Sequence, residues 1–239
     1  MIGSPNPFMR NWVIVLSVAQ VIFMIWLPDS GFDKYYWETW AKEIMTNGLG
    51  SVYLDHEVNN HPLNLYLLKV LSWFFSDPQA VNPTSINWLK ALVMPFNLLS
   101  ILVMAYLMRI NGVAQKEIGW LILNPAFWYN TVVWGQVDVV YTFFALIALI
   151  LAERGRWKSA FVFMLIAVNF KLQAIVIVPL VVLLSYQSVK KELWPQKTLG
   201  LGLVLVTQTL ILIPFIISGN IHSVFDAVTS RSVNHFPVL

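Results

Sequence analysis

Cysteine is absent from the 239 residues, which excludes a disulfide framework and a thiolate metal site and leaves no clue to redox compartment. Charge is scarce as well, at 11% of the chain, and the formal net charge of +3 is a sum over unlike loops. Such a balance points to no acidic partner and no nucleic acid. The few acids and four histidines form no clear ligand cluster, so neither a metal nor another cofactor is expected. What fills the chain instead is apolar: 58% of residues are hydrophobic, with 11 Trp and 15 Phe. That composition belongs to a polytopic integral membrane protein.

Apolar runs occupy about 12–28, 88–108, 118–133, 139–152, 159–170, 172–186 and 199–218. The first has only Arg10 before it and no small-residue cleavage site after it, so it reads as a retained span rather than a signal peptide. Several of the others are shorter than the ~20 residues that cross a bilayer alone. Charge arbitrates between one long span over 159–186 and two short ones turning at Lys171. Two spans put Arg154, Arg156 and Lys158 on the side of Lys190, Lys191 and Lys197, as the positive-inside rule prefers. Residues 62–75 read as an imperfect amphipathic helix on the outer interface, with His61, Asn64, Lys69, Ser72 and Ser76 on one broad arc. The expected fold is all-α, a polytopic transmembrane helix bundle of about seven spans forming one domain over 1–239. A large external first loop, 29–87, carries interfacial helices. With the N-terminus inside, nine basic residues and three acids face inward, for a net +6 against −3 outside.

This topology gathers the unusual polar residues at the external face. Polar groups at membrane depth are costly and usually have a purpose. In Trp134-Gly135-Gln136-Val137-Asp138 a carboxylate and an amide stand where a helix begins. Asp138 reads equally well as a helix cap, while Gly135 permits a tight turn or a close backbone approach. Asn124-Pro125 lies late in the third span, where proline kinks or ends a helix. Phe127, Trp128, Tyr129 and Trp134 then read as interfacial anchors. Lys171, with Gln173 beyond it, falls at the next external turn. It can snorkel, pair with Asp138 or hold a phosphate as a point charge.

In the first loop, Tyr36, Trp37, Trp40 and Ile44 recur at helical spacing, and Gly48 and Gly50 end that helix. Asp33 stands at its head, as an N-cap or as a base held in place by the same bonds. Pro62 suits the first turn of the next helix with Asn60 as its cap, leaving His61 as a donor to an anionic or sugar oxygen.

The order of these features resembles the GT-C glycosyltransferases over nearly the whole chain. It runs from Asp33, through His61-Pro62 and Asn124-Pro125, to Trp134-Gly135-Gln136-Val137-Asp138, Arg154-Gly155-Arg156, Lys171-Leu172-Gln173-Ala174 and Pro179. The closest likeness is to bacterial and archaeal mannosyltransferase-like members. The resemblance implies inverting transfer of a hexose, mannose or glucose, from a polyprenyl-phosphate donor. The acceptor is a lipid-linked glycan, lipid or protein hydroxyl on the external or lumenal face, and membrane lipids surround the enzyme. Asp33 matches the acidic residue of the first loop that serves as general base. Lys171 is the candidate for neutralising the leaving phosphate, with Arg231 and His235 as lesser ones. Gln136, Asp138, His61 and Gln173 complete the implied substrate-binding set. The implied location is a bacterial or archaeal plasma membrane, or the endoplasmic reticulum in a eukaryote. Two departures stand out. Family members are usually longer, so the chain is expected to be truncated at its C-terminus, and many relatives carry a second proline or a tyrosine near His61-Pro62-Leu63. The rival reading is a transporter or channel for a polar or anionic solute, lined by Gln136, Asp138 and Lys171. A flippase or scaffold subunit is a third reading. The chain has no internal repeat among its spans, and its polar residues sit at one face rather than at the midplane where transport sites lie.

Overall fold

The computed structural model describes residues 33–55, 58, 60–82, 84–114 and 124–227, with positions 11, 15, 18–23, 26, 117 and 120. Among these residues there is no strand and 84% are helical, as expected of an all-α chain. The longer helices are α1 (Asp33–Thr46), α2 (Pro62–Ser72), α3 (Leu89–Ile110) and α4 (Asp138–Glu153). They continue with α5 (Trp157–Phe170), α6 (Val178–Lys191) and α7 (Trp194–Ile217). Among the described residues, three segments are long and apolar enough to cross a membrane: Leu89–Ile110, Leu172–Lys191 and Trp194–Ile217. At 16 and 14 residues, α4 and α5 are shorter. Their ~1.5 Å rise per residue carries them only part of the way through a ~30 Å hydrocarbon core. Seven full-length spans are therefore not established.

Contacts divide the chain into two units, one of 1–32 with 87–139 and another of 33–86 with 140–239. In the second unit, α1 packs on α2, with Trp37, Trp40 and Ile44 buried on one side and Leu65, Leu68 and Leu71 on the other. Each such burial is worth roughly 1.5–3 kcal/mol in contact with water. The helical spacing of Trp37, Trp40 and Ile44 thus serves protein packing, while Tyr36 stays exposed. On α2, Asn64 and Ser72 from the expected polar arc are buried against protein, His61 and Lys69 are half-buried, and Ser76 beyond the helix end is exposed.

The seam of α4 and α5 is built from small residues: Ala145, Ala148 and Ala152 with Ala160, Met164 and Ala167, joined by Ala174 and Val181. Their near-heptad spacing gives each helix one smooth face, and lipid-embedded helices associate through such close backbone approach. Phe144 stacks on Phe170 at 5.5 Å, closing one end of the seam. The chain breaks at Lys171, whose backbone is extended (φ −156°, ψ 128°) between α5 and a 3-10 stretch, Leu172–Ile177. Residues 159–186 therefore form two helices broken at Lys171, as read from the charges, rather than one continuous helix. At the opposite end of α5, Lys158 pairs with Glu192 at 3.0 Å and the Gly155 turn lies against Ser188. The basic turns 154–158 and 190–197 share one end of this unit.

In the first unit, α3 carries Pro95 and buries Asn97, whose amide donates to Gln20 at 3.1 Å. Buried amides bridging helices act as polar glue in membranes.

Candidate functional site

In the second unit, the polar group forms where α2 begins and α5 ends. His61 is the N-cap residue of α2, extended and without a side-chain cap bond, followed by Pro62 at the first helical position. Asn60, the expected cap, instead accepts a hydrogen bond from the Asn64 amide at 3.3 Å, and its carbonyl accepts from the Tyr53 hydroxyl at 2.8 Å. The Asn64 amide also donates to the Phe170 carbonyl at 2.7 Å. That carbonyl lies in the last turn of α5, where four C=O groups lack an intrahelical partner. One buried asparagine thereby ties the start of α2 to the residue preceding Lys171.

His61 and Lys171 are consequently neighbours. Burial, and then the Lys171 ammonium, hold the imidazole down at about 4. His61 is neutral at pH 7, able to donate from one nitrogen and accept at the other. Beside this pair lies an apolar groove of about 390 Å³ between α2, α4, α5 and α7, lined by Leu63, Tyr66, Phe144, Phe170, Leu210 and Ile211 among others. The Tyr66 hydroxyl donates to the Ile211 carbonyl at 2.9 Å. In the same turn of α7, Pro214 has no N–H to return to the Leu210 carbonyl, one residue before Ile211. Gln173 is exposed on the 3-10 stretch. Asp33 opens α1, and its side chain lies outside the described residues, so neither the cap nor the base reading is touched by the structure.

Gln136 and Asp138 belong to the first unit. Asn124 caps the short helix Pro125–Trp128 by accepting from the Ala126 N–H at 2.9 Å, so Pro125 starts a helix, and the residues just before it lie outside the described ones. That helix widens into a π-helical turn, Tyr129–Val133. Gly135 takes φ 77°, in the left-handed region open chiefly to glycine, and the Gln136 N–H returns to the Asn130 carbonyl at 2.9 Å. Asp138 then begins α4. Tyr129 and Trp134 meet edge to face at 5.9 Å. Arg231 and His235 lie outside the described residues.

Sequence reasoning missed two residues. Asn64 fell on the polar arc of α2 and was assigned to the interface, although it is 4% exposed. Lys90 attracted no attention at the head of a span, yet it is 2% exposed and donates to the Val132 carbonyl at 3.0 Å. No local pattern marks either partner.

Among protein families, the alpha-(1->6)-mannopyranosyltransferase N-terminal domain, MptA_B family, matches residues 25–187, more than half of the chain. The chain belongs to this family. It is a mannosyltransferase family of GT-C type, in agreement with the resemblance read from the motifs. The protein is therefore a glycosyltransferase acting on mannose, and the MptA_B family implies a lipid-linked sugar donor and an acceptor in general. With its apolar helices, the protein is an integral membrane protein. The transporter or channel reading is left without support. Comparison with curated proteins and with solved structures gave no significant match. Asp33, His61, Gln136, Asp138, Lys171 and Gln173 lie within the matched residues, and Arg231 lies beyond them.

Proposed function

We propose that the protein transfers one mannose, with inversion, from a polyprenyl-phosphate donor to an acceptor hydroxyl on the external or lumenal face of a multi-pass membrane bundle. The family description further suggests the primary 6-hydroxyl of a mannose as acceptor and an α product. Inversion then requires a β-linked donor. The Asp33 carboxylate takes the proton of the acceptor hydroxyl as its oxygen bonds to the sugar's C1. The bond from C1 to the phosphate oxygen breaks on the opposite face, and polyprenyl phosphate leaves with the electron pair. Lys171 neutralises that phosphate, and neutral His61 donates a hydrogen bond to it. Gln136 and Asp138 are assigned to sugar and acceptor hydroxyls, and Gln173 and Arg231 to the periphery of substrate binding.

The observation that carries this reading is the adjacency of a cation to an apolar groove. Lys171 follows Phe170 directly, and His61 lies two residues before Leu63, both groove residues. A lipid phosphate has the same two-part chemistry, an anionic head on a hydrocarbon chain.

The test is transfer of radiolabelled mannose from polyprenyl-phosphate mannose to a lipid-linked mannoside in membranes. Asp33→Asn is expected to lower transfer by roughly 10²–10⁴-fold with folding intact. Wild-type activity in that mutant would remove the base, and a mutant that unfolds would leave Asp33 as a cap. Lys171→Ala is expected to raise the donor KM, and an unchanged KM would take the phosphate away from Lys171.

A further inference from the structure

Lys90 occupies the first turn of α3, an apolar helix where a lysine ordinarily extends its stem toward the interface. Here the side chain turns inward and is 2% exposed. A buried ammonium is costly unless its N–H groups find acceptors. Lys90 Nζ donates to the carbonyls of Val132 at 3.0 Å and Val133 at 3.4 Å. These are the last residues of the π-helical turn Tyr129–Val133, and carbonyls at a helix C-terminus lack intrahelical donors and carry the negative end of its dipole. Charge-assisted bonds to two successive carbonyls fix the backbone there in position and orientation. The next residues are Trp134-Gly135-Gln136-Val137-Asp138.

The arrangement holds the turn as well as filling space. An aliphatic side chain at position 90 would avoid burying a charge but would leave the Val132 and Val133 carbonyls without this donor. An α-helical turn would pair more of its own carbonyls than a π turn does, and π turns recur at functional sites. We propose that Lys90 is a positioning residue for mannosyl transfer, its ammonium clamping the turn from which Gln136 and Asp138 meet the substrate. Lys90, the π turn and both polar residues lie in the same unit. The inference rests on the substrate-binding role given above to Gln136 and Asp138.

The experiment compares purified full-length protein in lipid nanodiscs carrying Lys90→Met, Lys90→Arg, Gln136→Ala, Asp138→Asn and the double variant Lys90→Met/Gln136→Ala. Lys90→Met is expected to fold with a lowered thermal midpoint, because two carbonyls lose their donor, and to lose roughly 10²-fold in kcat/KM per folded molecule, the scale of a misplaced binding group. Lys90→Arg, which can still donate to both carbonyls, is expected to recover part of that loss. The double variant is expected to lose clearly less than the two single losses combined, because Lys90 acts in part through Gln136. Full activity per folded molecule in Lys90→Met, or strictly additive losses in the double variant, would overturn the inference. Wild-type transfer by both Gln136→Ala and Asp138→Asn would instead overturn the underlying site reading, and with it the role of Lys90. If Lys90→Met does not accumulate as folded protein, Lys90→Gln, which keeps an N–H for one carbonyl, carries the same comparison.

Discussion

A neutral histidine beside a lysine leaves a signature in the pH dependence of folding. His61 is held at about 4 by burial first and by Lys171 second, against an ordinary value near 6.5. Between those values the unfolded chain binds a proton that the folded one does not. The stabilising contribution is complete above about 6.5 and is lost as pH falls toward about 4. Thermal unfolding of the wild type across that window is expected to show a midpoint that drops with pH, and His61→Gln a flatter profile. Tyr53 offers a second test at the same scale. It is fully buried, its phenol is pushed up by burial, and it donates to the Asn60 carbonyl that precedes His61. Tyr53→Phe leaves that carbonyl without its donor and is expected to cost about 1 kcal/mol in a denaturation assay.

Between elements, the interactions that decide are few and polar, or close and steric. Asn169 on α5 and Gln208 on α7 exchange amide bonds at 2.8 and 3.3 Å, a reciprocal lock in a largely apolar setting. A double-mutant cycle of Asn169→Leu and Gln208→Leu is expected to return a coupling of about 0.6–1.7 kcal/mol, the range for interhelical hydrogen bonds in membranes. Gly200 of α7 faces the Trp157 ring so closely that an added Cβ would overlap it. Gly200→Ala is therefore expected to destabilise by about 1–3 kcal/mol, as overpacking does. Gly50 plays the same part at the other end of α7. A Cβ there would fall 2.5 Å from the Pro214 carbonyl oxygen, while the Gly50 carbonyl accepts from Ser218 and Asn220.

For the whole molecule, sidedness is the property that transfer chemistry needs. The Lys158–Glu192 pair, with its carboxyl raised by desolvation yet lowered on balance by Lys158 and Trp157, sits at the opposite end of α5 from Lys171. If the basic turns face inward and Lys171 outward, single cysteines at Ser188 and Gln173 are expected to react with impermeant maleimide from opposite sides of sealed vesicles. Labelling of both from one side would refute a crossing of the membrane by Leu172–Lys191.

Much of this was legible before any fold was known, because the signals are local. A lysine between two short apolar runs, with basic residues balanced on either side, marks the break at Lys171. Glycine and an acid in sequence mark the turn at Gly135 and the start of α4 at Asp138. Hydropathy marks the membrane, and the ordered motifs mark the GT-C kinship. Helical spacing also found the buried face of α1, though not whether protein or lipid covers it. The burial of Asn64 and Ser72 on the polar face of α2 was missed for the same reason: periodicity reports that a stripe exists and is silent on what it meets. Asn64 reaches a carbonyl 106 positions away and Lys90 one 42 positions away. A hydrogen bond between residues so distant in the chain depends on how helices pack, so it leaves no period, cap or turn in the sequence. Composition and local pattern determined the class of this protein and the order of its helices, while the tertiary structure alone decided which buried polar groups hold its two candidate clusters in place.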